Sequence, residues 1–210
     1  MRIVLTGFFV ALLLSGCMSF EKSGTISGLS VQKGAPVVYI HPLENVYSHA
    51  TVGVLPFQVP ANMSGEQGLG VGALFKDVLL ARRVFETVRE LDAPYNNLDS
   101  ALAVGRKAGV DLVLAGKINY ALEGTELGGG RVDVSVRFLN TTTGNTVWYV
   151  QQTMDQPVDY PDVGFVNRLL GSFSRPPVRE PREAPSVTNL LARIAVDMAD
   201  VLEGARAVKR

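Results

Sequence analysis

The chain is poor in the residues that most often carry chemistry: over 210 positions it has one cysteine, two histidines and one tryptophan, and its 20 basic residues balance 20 acidic ones. The lone Cys17 excludes an intramolecular disulfide framework and any zinc site built on several thiolates. Zero net charge provides no global field to gather nucleic acid or acidic substrates, so no nucleic-acid partner is expected. His41 and His49 are separated by a loop-like stretch holding Glu44 and Tyr47. That spacing puts them on neither one helical face nor one turn, and no metal is expected. A Ser-His-Asp nucleophile would have to use one of these two histidines, and no Gly-x-Ser-x-Gly elbow precedes a helix. Nothing in the sequence brings carboxylates such as Asp111 and Asp133 into one cleft. The expectation is a non-enzymatic protein with no catalytic residue and no cofactor.

One motif invites a cofactor. Gly68-Leu69-Gly70-Val71-Gly72-Ala73 fits the dinucleotide pattern G-x-G-x-x-A, with Asp92 at about the right distance. The fingerprint requires its glycines directly after a strand, whereas the stretch containing Pro60 separates Phe57 from Gly68. The expected role of these small residues is therefore packing near a sheet.

What is abundant is core. With 47% hydrophobic residues the chain can form one ordinary domain. The organising stretch is Val110 to Thr153. Val132, Val134, Val136 and Phe138 alternate with Asp133, Ser135 and Arg137 at the period of two required by a strand with one buried face. Gly-rich or turn-forming runs, GTELGGGR upstream and NTTTGN downstream, connect it to its neighbours, and the economical topology is an antiparallel meander. The fold class expected is α/β in the α+β sense, a mixed sheet with helices packed on its faces.

Around that sheet, Met18 to Pro36 has little apolar periodicity and reads as a tether, able to reach about 60–70 Å fully extended. Val37 to Ile40, bracketed by Pro36 and Pro42, is either a short strand or an extension lying over the domain. Thr51 to Phe57 suits a buried strand. Val71, Leu74, Phe75, Val78 and Leu79 form one stripe of a helix over Gly68 to Arg83, and Val84 to Leu91 returns as a strand. Asn96 and Asn97 offer caps to a helix that Gly109 ends in the left-handed conformation. Six of the eleven prolines fall in an excursion over 157–185. Within it Phe165, Leu169, Leu170 and Phe173 make an apolar patch that reads as a partner contact, with docking on the domain itself as the alternative. Ser186 then caps a final helix striped by Val187, Leu190, Leu191, Ile194, Met198, Val201 and Leu202, with Arg193, Asp197 and Asp200 facing water.

The first residues carry an address. Arg2 precedes the apolar run Ile3 to Leu14, too short for the ~17–25 residues of a spanning helix, and Leu14-Ser15-Gly16-Cys17 closes it. This resembles a bacterial lipoprotein signal with its lipobox. The resemblance implies cleavage between Gly16 and Cys17, a diacylglyceryl group on the Cys17 thiol and an acyl chain such as palmitate on the new amino terminus. Several chains together anchor stably where one would be reversible. Met18 and Ser19 follow without an Asp at the second mature position, which by the same resemblance favours the outer membrane, with the domain facing the periplasm. The expected organisation is a signal peptide over 1–16, a lipidated tether over 17–36 and a single domain over 37–210.

The lipobox, the VGVLPF strand, an amphipathic helix, the VFETV strand, AGVDLVLAGKI and a hairpin closing on TGNTVW together resemble the lipoproteins related to CsgG, LpoB, PelC and the N-terminal domain of TolB. The resemblance covers Ala50 to Thr153 and the last helix, and implies a fold more than a function. Its members act in the cell envelope as secretion channels, oligomeric rings or activators of cell-wall synthases. No segment remains for the long strand pairs of a CsgG-type pore, and the tether is short for an LpoB-type activator. The resulting expectation is an accessory in envelope assembly or secretion that binds other envelope proteins, with a homo-oligomeric ring as one form. Regulation of a periplasmic cell-wall synthase is the alternative, and an unrecognised periplasmic enzyme a remote one.

Overall fold

The computed structural model describes residues 32–42, 47–125, 129–157 and 186–207. In chain order these form β1 (Gln32–Lys33), β2 (Val37–Ile40), β3 (Thr51–Val54), α1 (Gly65–Ala81), β4 (Thr87–Glu90), α2 (Leu98–Ala108), β5 (Leu112–Leu122), β6 (Arg131–Asn140), β7 (Thr146–Asp155) and α3 (Val187–Ala207). The strands make one seven-stranded sheet in the order β1-β7-β6-β5-β3-β4, with β2 also paired to β7. β5, β6 and β7 are the expected antiparallel meander, whereas β3 runs parallel to both β4 and β5. The α+β mixed sheet expected from the sequence is the observed fold.

The parallel half dictates where the helices go. α1 crosses from β3 to β4 in one direction, and α2 returns from β4 past β3 to β5 in the other. Right-handed crossovers then place the two helices on opposite faces. α1 and α3 share the larger core with Phe57, Ile118, Val134, Phe138 and Trp148, whereas α2 packs with Leu55, Val113, Ala115 and Leu139. Phe85, Phe138 and Trp148 knit the larger core through tilted and edge contacts at 5.4–5.8 Å. With 11 residues, α2 spans only about 16 Å at 1.5 Å per residue, so among the described residues no helix covers most of the second face over β6 and β7.

The caps follow from local chemistry. Asn97 Oδ1 accepts from the Ser100 amide at 2.8 Å while Ser100 Oγ accepts from the Asn97 amide at 3.1 Å, and Gly109 ends α2 at φ 66°. α1 starts at Gly65 and not at Gly68, because Ser64 and Gln67 close a capping box ahead of the apolar stripe, the Ser64 amide donating to Gln67 Oε1 at 2.8 Å. The glycines of the G-x-G-x-x-A motif are therefore helix interior. Buried Gly68 and Gly72 let α1 approach the backbone leaving β3: a Cβ would meet the Phe57 carbonyl oxygen at 2.3 Å from Gly68 and the Leu55 carbonyl oxygen at 3.0 Å from Gly72.

Three details differ from the sequence reading. The strand expected over Val84 to Leu91 is confined to Thr87–Glu90, because Val84 and Phe85 turn into the larger core after Arg83 takes φ 51°. Gln32 and Lys33, within the expected tether, pair with Asp155 and Met154, and the neighbouring Gly34 carbonyl accepts from Gln152 Nε2 at 3.0 Å. Asp197 does not face water: it is buried and accepts from the buried Gln152 amide at 2.8 Å. A core-facing glutamine on β7 needs a polar partner, and α3 presents one.

Candidate functional site

The sheet has two contrasting edges. β4 is short and carries Arg89 and Glu90, the latter paired with Lys76 Nζ at 3.2 Å, which suits an edge guarded by charge. β2 is apolar on both faces: Val37 is 51% exposed, Val38 37%, Tyr39 57% and Ile40 40%. Among the described residues β2 pairs only with β7, so its outer row of backbone donors and acceptors is open. The register shifts by one between Val38 and Ile40, leaving Tyr39 as the extra residue of a bulge. The Tyr39 ring stacks on Tyr149 at 4.8 Å, and the Arg137 guanidinium lies 4.2 Å from the centroid of the same Tyr149 ring. Three neighbouring strands, β2, β7 and β6, thus contribute a row of stacked side chains.

That row borders the face left uncovered by α2, where the polar residues of the β6 alternation emerge. Asp133 is held by Asn119 Nδ2 at 2.9 Å, Gln151 Nε2 at 3.0 Å and Thr153 Oγ1 at 3.0 Å. The β5–β6 register also shifts, between Ile118 and Tyr120, so Asn119 and Tyr120 both leave on this face, Tyr120 with 47% exposure. Between this network and the start of α2 lies a groove of about 390 Å³. Its charged walls are Lys117 and Arg137, and its amides come from Gln58, Asn96, Asn97 and Asn119. Tyr95 contributes to its lining with a hydroxyl that donates to the Gly116 carbonyl at 2.7 Å, and burial pushes this phenol's pKa well above its usual range.

Of the residues singled out in the sequence, Gly16, Cys17, Phe165, Leu169, Leu170 and Phe173 lie outside the described residues. His49 Nδ1 meets Glu86 Oε2 at 3.0 Å and His41 Nδ1 meets the Pro42 carbonyl at 3.1 Å. No group of three His, Cys, Asp or Glu side chains suited to a metal occurs among the described residues. Asp111 and Asp133 serve separate tasks, Asp111 Oδ2 accepting from the Thr51 amide at 2.8 Å at the start of β3. Among the described residues, no helix is long and apolar enough to cross a membrane. Val37–Ile40, left open in the sequence between a short strand and an extension, is a strand, whereas its role as an exposed edge and the groove have no counterpart among the sequence expectations.

No protein-family model matches the chain, and no curated protein does. Among solved structures it is similar to Lipoprotein GNA1162 from Neisseria meningitidis, with 14% identity over 59% of this chain and 92% of that one and a TM-score of 0.36. It is also similar to the LpoB C-terminal domain from Salmonella enterica, with 11% identity, 53% and 87% coverage and a TM-score of 0.39. A further likeness is to PelC from Paraburkholderia phytofirmans, solved as a dodecamer, with 18% identity, 81% and 96% coverage and a TM-score of 0.46. PelC and LpoB, to which this chain is similar, are two of the proteins that its sequence motifs resemble.

Proposed function

We propose that the chain is a lipid-anchored outer-membrane lipoprotein whose periplasmic domain is a non-enzymatic accessory in envelope assembly or export, working through protein contacts. The observation that carries the reading is the β2 edge: four exposed apolar side chains beside an open row of backbone hydrogen-bonding groups form a template for another strand. A second apolar spot, Tyr120 and Leu122 at 47% exposure each, lies three strands inward at the end of β5. Two dissimilar contact surfaces on one chain suit head-to-tail association, which closes into a ring when the rotation permits. Phe165, Leu169, Leu170 and Phe173 are assigned a further contact role in this reading.

The test uses the full chain in cells, with a photoreactive residue in place of Tyr39. Crosslinked multimers of the chain support self-assembly, and adducts with other envelope proteins support a mixed complex. A chain that remains uncrosslinked in cells and monomeric in detergent rejects the contact role. Replacing Val37 and Tyr39 together by Lys is expected to reduce the assembly to monomer in sedimentation while lowering the melting temperature by no more than a few degrees, because both side chains are exposed by half or more.

The anchor is tested separately. Cys17→Ser removes the thiol that carries lipid, and the expected outcome is loss of the mature protein from the outer-membrane fraction in flotation. Full retention of the variant after a high-salt wash overturns the assignment.

A further inference from the structure

The groove between the polar sheet face and the start of α2 has a composition unrelated to the β2 edge, and we infer that it binds an acidic saccharide, with a sugar carboxylate held between Lys117 and Arg137. Lys117 lies opposite Ser135 in the ladder and Arg137 opposite Ala115, so the two cations are diagonal neighbours on one face, with stems about 7–8 Å apart. Side chains of their length close that distance around a single carboxylate. Among the described residues neither has an acidic partner and no Asp or Glu lines the groove. Asp133, next to Ser135 along the same face of β6, is already engaged by Asn119, Gln151 and Thr153. Stacking on Tyr149 orients the Arg137 guanidinium without neutralising it. Two other cations are spent on structure: Lys76 pairs with Glu90 at 3.2 Å and Arg82 with Asp200 at 3.3 Å.

The remaining lining selects the rest of the ligand. Asn96 offers a donor and an acceptor, Asn97 Nδ2 a donor beside its capping oxygen, Gln58 Oε1 an acceptor and the Ser135 hydroxyl a donor, a mixture that matches sugar hydroxyls. Leu98, exposed in the lining at the start of α2, supplies an apolar surface suited to the C–H face of a pyranose. An extended peptide has less to gain here. β5 is paired on both sides by β3 and β6, and β6 by β5 and β7, so no main-chain edge is available in the groove. The volume of about 390 Å³ falls within the roughly 300–1,000 Å³ of small-molecule clefts.

The experiment is calorimetric titration of the full chain in detergent with trigalacturonate, at low salt and at high salt. Saturable binding weakened by salt is expected, with at least a tenfold loss in Lys117→Gln and in Arg137→Gln, retention in Lys117→Arg, and at least tenfold weaker binding of the neutral galactose trisaccharide. The Lys117 side chain is exposed and makes no hydrogen bond or ion pair among the described residues, so Lys117→Gln decides the matter even where Arg137→Gln loses stability with its aromatic stack. Absence of saturable binding, equal binding by Lys117→Gln, or equal affinity for hexaglutamate or acetate overturns the inference, the last two by showing a site for acidic peptide or for any small anion.

Discussion

Val134→Asp should cost about 3–5 kcal/mol of folding stability, the loss expected when an unpaired charge is forced into a core. Val134 is 0% exposed, lies in the ladder between Ile118 and Gln152, and belongs to the cluster that α1 and α3 cover. Among the described residues no Lys or Arg is buried in that core to receive the carboxylate, and the sheet cannot slip by one residue to expose it without burying Asp133, Ser135 and Arg137 instead. Against a domain stability of ordinarily 5–15 kcal/mol, a loss of that size removes much of the folded population at physiological temperature. Its neighbour should behave differently. Asp133→Asn keeps one acceptor oxygen for the Asn119 and Gln151 amides, and the Thr153 hydroxyl can reverse its role to accept from the new amide. A loss of about 1 kcal/mol is expected. Urea unfolding of both variants measures the difference, and equal midpoints would show that the two faces of β6 are wrongly assigned.

The alternation of β6 was legible in the sequence because burial on one face and water on the other leave a period of two that no neighbour needs to supply. The Asn97 cap and the Gly109 stop were legible for a similar reason: each is completed within a few residues of itself. Features that depend on a distant partner were not. Gln151 and Gln152 read alike, yet the ladder turns one toward Asp133 and the other toward Asp197, so Asp197 was expected in water and is buried. Gln32 and Lys33 have no periodicity of their own and are ordered only because the edge of β7 is available to them. The bulge that swings Asn119 and Tyr120 onto one face has no composition signature, and with it the groove stayed hidden: its walls come from β5, β6, β7, the stretch after β3 and the start of α2.

The G-x-G-x-x-A stretch offers the other large effect, and there two glycines two residues apart should respond with opposite signs to the same substitution. In Gly68→Ala the new methyl would sit 2.3 Å from the Phe57 carbonyl oxygen. That oxygen belongs to backbone and cannot swing aside, since the Phe57 amide is tied to the Gly68 carbonyl at 3.0 Å and the following Gln58 is bridged to Lys117 of β5. Either α1 backs away from the sheet, loosening Phe75 and Leu79 in the core, or the segment after β3 shifts; overpacking of this kind costs about 1–3 kcal/mol, and the upper part of that range is expected where backbone meets backbone. Gly70 is exposed, with nothing within 4 Å of its Cβ position and a helical backbone. Gly70→Ala removes the conformational freedom that glycine gives the unfolded chain and should stabilise by about 0.5–1 kcal/mol. Thermal unfolding of the two variants beside the parent tests the packing role of the motif directly. A nucleotide-binding loop would show a loss at both positions, because its glycines would lie in a tight turn that strains Ala; a stabilising Gly68→Ala, or a destabilising Gly70→Ala, would mean that α1 does not approach the sheet through its small residues.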